Sequence, residues 1–138
     1  VSMIQSVDSL KLAREIEKQA QKLKITADCL IEVNVGNEES KTGIDFSSVM
    51  PLLEEISSMN GVCVKGLMAI PPICSEREEL LKYFEKMHRL FVDIKAQNID
   101  NINMQILSMG MSGDYNEAIL CGANLVRIGS SIFGPRLY

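Results

Sequence analysis

Five short apolar runs alternate along this chain with longer amphipathic segments. The apolar runs are rich in β-branched residues, as strands buried on both faces are. They cover residues 3–7, 29–35, 62–68, 104–108 and 125–128. The amphipathic segments place apolar residues at helical spacing, which predicts helices over residues 8–23, 46–59, 75–97 and 114–121. A strand followed by a helix, repeated in this way, indicates a parallel sheet with helical crossovers.

Two of these helices carry a start signal. Ser75 and Glu78 have the spacing of a capping box, in which each side chain bonds the other residue's free backbone amide. Asp114 and Glu117 repeat that spacing before the shorter helix. We therefore expect the two helices to begin at Ser75 and Asp114.

Two architectures fit this order of elements, an open doubly wound sheet and part of a (β/α)₈ barrel. A full TIM-type barrel takes about 250 residues, and a minimal one roughly 200. The 138 residues of this chain therefore suit a single domain, residues 1–138, that holds about five barrel units. The predicted fold class is α/β.

Composition narrows the classes of function. Hydrophobic residues make up 46% of the chain and the net charge is −4, so a buried core is expected and a nucleic-acid partner is not. No apolar run approaches membrane-spanning length, and no charged and then apolar leader opens the chain. The four cysteines include no C-x-x-C pair, which favours free thiols in a cytoplasmic protein.

Two polar turns near the C-terminus carry the candidate chemistry. Residues 108–114 and 127–131 each combine glycine and serine directly after an apolar strand. Backbone amides at a helix N-terminus attract anions, and serine hydroxyls add donors. In barrel enzymes the phosphate site commonly follows the last two strands. We therefore predict a phosphate between residues 108–112 and 129–131, whereas the alternative is that these residues only form turns and caps.

Arg127 is the second informative residue, because it lies in an apolar strand end where an unpaired charge is costly. Arginine cannot lose its charge, so it needs a partner, either a ligand or a surface carboxylate. His88 is the only histidine and lies mid-helix without a partner histidine or a suitably spaced cysteine. The sequence therefore predicts neither a metal site nor a catalytic triad.

Residues 107–114 and 126–134 together resemble the phosphate-end signature of the pyridoxal phosphate homeostasis family, the YggS-type proteins related to the barrel domain of alanine racemase. The resemblance runs from about Met3 to Arg136 and implies a partial (β/α)₈ TIM-type barrel, about strands four to eight of the family barrel. It implies pyridoxal 5′-phosphate as the cofactor. The cofactor-binding residues that it implies are Ser108, Met109, Met111, Ser112, Arg127, Gly129 and Ser130.

In that family the residue matching Arg127 faces the pyridine nitrogen, which stays unprotonated and makes the ring a poor electron sink. A lysine on the first barrel strand holds the cofactor as a Schiff base, and no segment of this chain matches that strand. The resemblance therefore implies non-catalytic binding and homeostasis of the cofactor, with no catalytic residue. Two alternatives stay open, a racemase-like enzyme with the same cofactor and an unrelated barrel enzyme that acts on a phosphorylated metabolite.

A five-strand piece of a barrel has two open edges. Exposed edges of apolar parallel strands invite pairing with other chains. The expected partners are therefore the small-molecule cofactor and either a second copy of this chain or a separate N-terminal segment.

Overall fold

The computed structural model describes residues 1–136, so the last two positions of the predicted domain lie outside the described residues. It contains one parallel sheet with helical crossovers. The strands are β1 (Ile4–Val7), β2 (Ala27–Asn34), β3 (Ile44–Asp45), β4 (Val62–Ala69), β5 (Ile102–Met111) and β6 (Leu125–Arg127). The α-helices are α1 (Leu10–Leu23), α2 (Val49–Ile56), α3 (Arg77–Ala96), α4 (Tyr115–Leu120) and α5 (Ser130–Phe133), and a 3₁₀ turn, Phe46–Ser48, precedes α2.

The sheet is curled into half of a barrel. Its order is β1-β2-β4-β5-β6, all in parallel, and the short β3 pairs with the end of β2. Gln5 of β1 reaches Ser108 of β5 at 3.2 Å, although β2 and β4 lie between their strands. A flat sheet would keep those side chains far apart, because neighbouring strands are about 4.8 Å from each other. The structure thus confirms the partial barrel over the open doubly wound sheet.

The two faces of the sheet differ in polarity. Toward the helices, alternate strand residues such as Ile31 and Leu107 pack with Leu53 and Phe84 in one apolar core. Burial of each such side chain stabilises the fold by about 1.5–3 kcal/mol. On the inner face of the curl lie buried polar residues, among them Glu32 of β2. The period-two alternation of strands thus gives the half-barrel an apolar outer layer and a polar interior.

Helix α1 has well-defined ends, whereas the predicted start of α3 is wrong. Ser9 Oγ accepts a hydrogen bond from Leu12 N at 3.2 Å, and Lys24 closes α1 in the left-handed conformation. Helix α3 begins at Arg77, with Glu76 as an N-cap that makes no side-chain bond. Ser75 and Glu78 are therefore one residue out of register for a capping box, since three residues after Glu76 comes Glu79.

Strand β5 is longer than predicted, and β3 was not predicted at all. β5 continues three residues past Ser108, to Met111, before the chain turns into α4. Gly110 lets the end of β5 approach α4 closely, because a Cβ at this position would lie 2.6 Å from Ala118 Cβ. Its φ of +97° also suits glycine. The end of β5 is thereby placed directly against the N-terminus of α4.

Candidate functional site

A cavity of about 820 Å³ opens at the carboxyl ends of β5 and β6. It is lined by Met111, Ser112, Gly113, Arg127, Ile128, Gly129, Ser130, Phe133, Gly134 and Arg136. Five of the seven residues predicted from the sequence are in its wall, and Ser108 and Met109 are not. The carboxyl end of parallel strands is the usual place for a ligand in barrel folds.

The hydroxyl of Ser112 closes one end of this cavity. Its Oγ accepts hydrogen bonds from the backbone amides of Gly129 and Ser131, each at 3.2 Å. These amides lie at the start of α5, where N–H groups have no partner within the helix. Two N–H groups that converge on one oxygen atom form an oxygen-binding cradle, and a phosphate oxygen has the same requirements.

The guanidinium of Arg127 is held at the inner side of the cavity by two neutral acceptors. Nη1 donates to Ser108 Oγ and Nη2 donates to the carbonyl of Ala69, both at 3.1 Å. Burial lowers the pKa of Arg127, while the nearby carboxylates of Glu32 and Asp114 act in the opposite direction. Arginine stays charged in any protein environment. These contacts do not match the alternative of an arginine paired with a surface carboxylate.

The structure places Ser108 and Met109 outside the wall of the cavity. Both residues are fully buried, and the Ser108 hydroxyl lies between Arg127 and Gln5 instead of facing a phosphate. Met109 packs in the apolar core with the helices. The reason is the length of β5: both residues are inside the strand, where side chains alternate between the two faces, and not in the loop that follows it.

Two polar residues shape the loops of the site: Asp114, which the sequence indicated only as a helix start, and Asn124, which it did not indicate at all. Asp114 precedes α4 as predicted, but its Oδ1 turns back to accept from Met111 N at 2.7 Å. Asn124 acts like one more strand residue: its Oδ1 accepts from Leu107 N at 2.8 Å and its Nδ2 donates to Gln105 O at 2.7 Å. These bonds fix the start of β6 against β5 and so set the position of Arg127.

Lys41 links two loops at the same end of the sheet. Its Nζ lies 3.1 Å from Pro71 O and 2.8 Å from Glu38 Oε2. Asn34 holds the backbone of Glu38 through its N–H and its carbonyl, so this loop is ordered by specific contacts. Lys41 is not among the residues that line the cavity.

Two other side chains with possible reactivity, those of His88 and Cys29, do not line the cavity. His88 is exposed on α3 beside Gly122, and burial raises the pKa of Cys29 to about 11, so this thiol is unreactive. Within residues 1–136, no group of three histidine, cysteine or acidic residues is arranged to hold a metal ion. The chemistry available at the cavity is thus anion binding together with hydrogen bonding from two arginines, Arg127 and Arg136, of which Arg127 is held by Ser108 and Ala69.

Comparison with known proteins identifies the family of this chain. The alanine racemase N-terminal domain family matches the chain over residues 2–136. A protein of Aquifex aeolicus named pyridoxal phosphate homeostasis protein is 43% identical over 138 residues, which are 100% of this chain and 60% of that protein. The chain therefore spans somewhat more than half the length of this relative.

Two solved structures share the fold. A structure described as that of an unknown protein from Bifidobacterium adolescentis superposes with a TM-score of 0.91 at 34% identity, over 96% of this chain and 53% of its own. PipY of Synechococcus elongatus has been solved with pyridoxal phosphate bound, and it superposes with a TM-score of 0.85 at 28% identity, over 96% of this chain and 61% of PipY. The family resemblance predicted from residues 107–114 and 126–134 is confirmed.

Proposed function

Because this chain belongs to the alanine racemase N-terminal domain family, within its pyridoxal phosphate homeostasis group, we propose that it binds pyridoxal 5′-phosphate and holds it as a non-catalytic carrier. One observation carries the proposal: the same cavity presents an oxygen-binding cradle and a half-buried arginine. When bound, the cofactor supplies a reactive aldehyde on an aromatic ring. A homeostasis protein keeps that aldehyde from unwanted reactions.

The residues of the cradle fit the phosphate group. Ser112 Oγ accepts from the amides of Gly129 and Ser131 through its lone pairs, and its single hydroxyl proton can be donated to an anion. Ser130 adds a second hydroxyl in the cavity wall. Short-range amide dipoles bind phosphate even on a protein whose net charge is −4.

Arg127 fits the pyridine nitrogen. A guanidinium has only donors, so it pairs with that nitrogen when the nitrogen carries no proton. An unprotonated ring withdraws electrons poorly, which disfavours chemistry at a bound amino acid. This arrangement supports storage of the cofactor over its use in catalysis.

The composition of the cavity wall supports the same conclusion. Its ten described residues include no lysine, histidine, cysteine, tyrosine or acidic residue. Removal of a proton from Cα needs a positioned base with a suitable pKa, and the described wall has none. A racemase-like activity is therefore the less favoured alternative.

We place this function in the cytoplasm. All four cysteines are free in the structure, and Cys29 and Cys63 remain unpaired although they lie on adjacent strands. Thiols in this state suit a reducing compartment. Among residues 1–136, no helix combines the length and the apolar character that a bilayer span requires.

A titration tests the proposed function. We expect the 138-residue chain to bind pyridoxal 5′-phosphate at least about tenfold more tightly than pyridoxal, because charge-assisted hydrogen bonds to phosphate contribute about 1.5–3 kcal/mol each. Inorganic phosphate should compete with the cofactor. Calorimetry measures all three affinities, and circular dichroism verifies that the chain is folded.

Each other outcome has a distinct meaning. Equal binding of pyridoxal and its phosphate would contradict the cradle. Binding of inorganic phosphate and simple sugar phosphates as tightly as the cofactor would favour an enzyme of phosphorylated metabolites. Failure of the folded chain to bind any of them would refute the proposal.

The open edges of the half-barrel support a further part of the proposal, that this chain pairs with another polypeptide. β1 and β6 lie at the two ends of the strand order, and Leu23 and Ile25 beside β1 are 68% and 54% exposed. Unpaired parallel edges and exposed apolar side chains favour association. We expect dimers or larger species of the 138-residue chain in sedimentation at micromolar concentration, whereas a stable monomer with a cooperative melt would contradict this expectation.

A further inference from the structure

A hydrogen-bond chain crosses the interior of the half-barrel from the first strand to the last. Gln5 Oε1 on β1 lies 3.2 Å from Ser108 Oγ on β5, and Ser108 Oγ lies 3.1 Å from Arg127 Nη1 on β6. Gln5 and Ser108 are 103 residues apart in sequence. The two ends of the sheet are thus linked through one hydroxyl.

The direction of this chain follows from its donors. Arginine can only donate, so Ser108 Oγ accepts from Nη1. The single hydroxyl proton of Ser108 is then available for Gln5 Oε1, which is the acceptor that lies within reach. Ser108 is fully buried, so water does not replace either partner. If the amide of Gln5 is removed, the hydroxyl loses the contact that orients its lone pairs toward Arg127.

The guanidinium is consequently fixed at two points by uncharged groups. Ser108 holds Nη1 and the Ala69 carbonyl holds Nη2. Arginine carries five N–H donors, so donors remain for a ligand in the cavity that Arg127 lines. Neutral acceptors leave the positive charge undiminished, whereas a carboxylate in direct contact would neutralise it. These contacts therefore orient the guanidinium of Arg127 and leave its positive charge available to a ligand.

We propose that Gln5 is a positioning residue that acts through Ser108 to hold Arg127 where it meets the ring nitrogen of pyridoxal phosphate. The inference rests on the proposed function and extends it to a residue at the opposite edge of the sheet. Gln5 does not line the cavity. Its role is to restrict the orientations of a side chain that does.

The test compares pyridoxal 5′-phosphate with its analogue in which C–H replaces the ring nitrogen. The unaltered 138-residue chain should prefer the natural cofactor by about tenfold, the contribution of one charged hydrogen bond. In Gln5→Leu and in Ser108→Ala this preference should fall to less than about threefold. The affinity for inorganic phosphate should not change, because Ser112 and the amides of α5 are untouched.

Two further variants act as controls. Gln5→Glu keeps an acceptor for the Ser108 hydroxyl and should retain the preference for the ring nitrogen. Gln19→Leu makes the same change as Gln5→Leu on the exposed face of α1 and should behave like the unaltered chain. If Gln5 only stabilises the sheet, Gln5→Leu will lower the affinities for the cofactor, its analogue and phosphate by the same factor. That result overturns the proposal.

A second measurement needs no ligand. Nitrogen-detected NMR of the guanidinium should show slow rotation, with separate Nη signals for Arg127, in the unaltered chain. Gln5→Leu and Ser108→Ala should average those signals, and unchanged signals in both variants would overturn the proposal. If the unaltered chain binds neither cofactor nor phosphate, the proposed function fails, and these spectra still decide whether Gln5 positions Arg127.

Discussion

Replacement of Gly66 by alanine should remove a large part of the stability of this fold. A Cβ at Gly66 would lie 1.7 Å from the carbonyl oxygen of Ile106 and 2.6 Å from its carbonyl carbon. Both are backbone atoms of the neighbouring strand, so no side-chain rotation relieves the overlap. We expect a loss of at least about 3 kcal/mol, the upper end for an overpacked core, from a total that is about 5–15 kcal/mol in ordinary domains.

Gly66 also lies where β4 changes which of its side chains face the helices. The pairing of β4 with β5 shifts register between Val64 and Gly66, as at a bulge. Before the shift Val62 and Val64 point to the helices, and after it Leu67 and Ala69 do so. The irregularity thus brings the Ala69 backbone into the register in which its carbonyl accepts from Arg127.

Urea unfolding followed by circular dichroism measures the effect. Gly113→Ala is the matched control, because a Cβ at Gly113 would meet no atom within 4 Å. We expect the control to unfold near the midpoint of the unaltered chain and Gly66→Ala to unfold much earlier or to be unfolded in buffer. Equal midpoints for the two variants would show that β5 can move away from β4.

Much of the architecture follows from local patterns in the sequence. Apolar runs such as residues 62–68 identify buried parallel strands, and their alternation with helices restricts the topology to an open sheet or a barrel. The choice between these two depends on curvature, which arises from contacts between distant residues. Gln5 and Ser108 are one such pair, and no periodic signal in either segment predicts that they meet.

The site was predicted in part for the same reason. Glycine and serine after two consecutive strands predict a phosphate site, because those residue types supply amides and hydroxyls in tight turns. The sequence does not show where β5 ends: the predicted strand stops at Ser108, so Met109 and the two residues after it are assigned to the turn. The role of Asn124 could not be predicted either, because a single side chain that bonds the backbone of a strand leaves no periodic pattern in the sequence.

Replacement of Ser112 by aspartate should abolish cofactor binding and leave the fold intact. Ser112 Oγ accepts hydrogen bonds from the amides of Gly129 and Ser131. A negatively charged carboxylate at this position would accept the same two hydrogen bonds. It would occupy the cradle and repel the phosphate. We expect the affinity for pyridoxal 5′-phosphate to fall by about 100-fold or more, since charge-assisted contacts are lost and a like charge is added.

The sign of the stability change separates this explanation from simple damage to the loop. A negative charge at a helix N-terminus stabilises by about 0.3–1 kcal/mol, so Ser112→Asp should unfold at the same urea concentration as the unaltered chain or slightly above it. Ser112→Asn keeps a neutral acceptor and should retain most of the affinity. Ser2→Asp adds the same charge at an exposed position outside the helices and strands and should bind normally. A Ser112→Asp chain that is stable and still binds the cofactor would place the phosphate somewhere other than the cradle formed by Ser112 and α5.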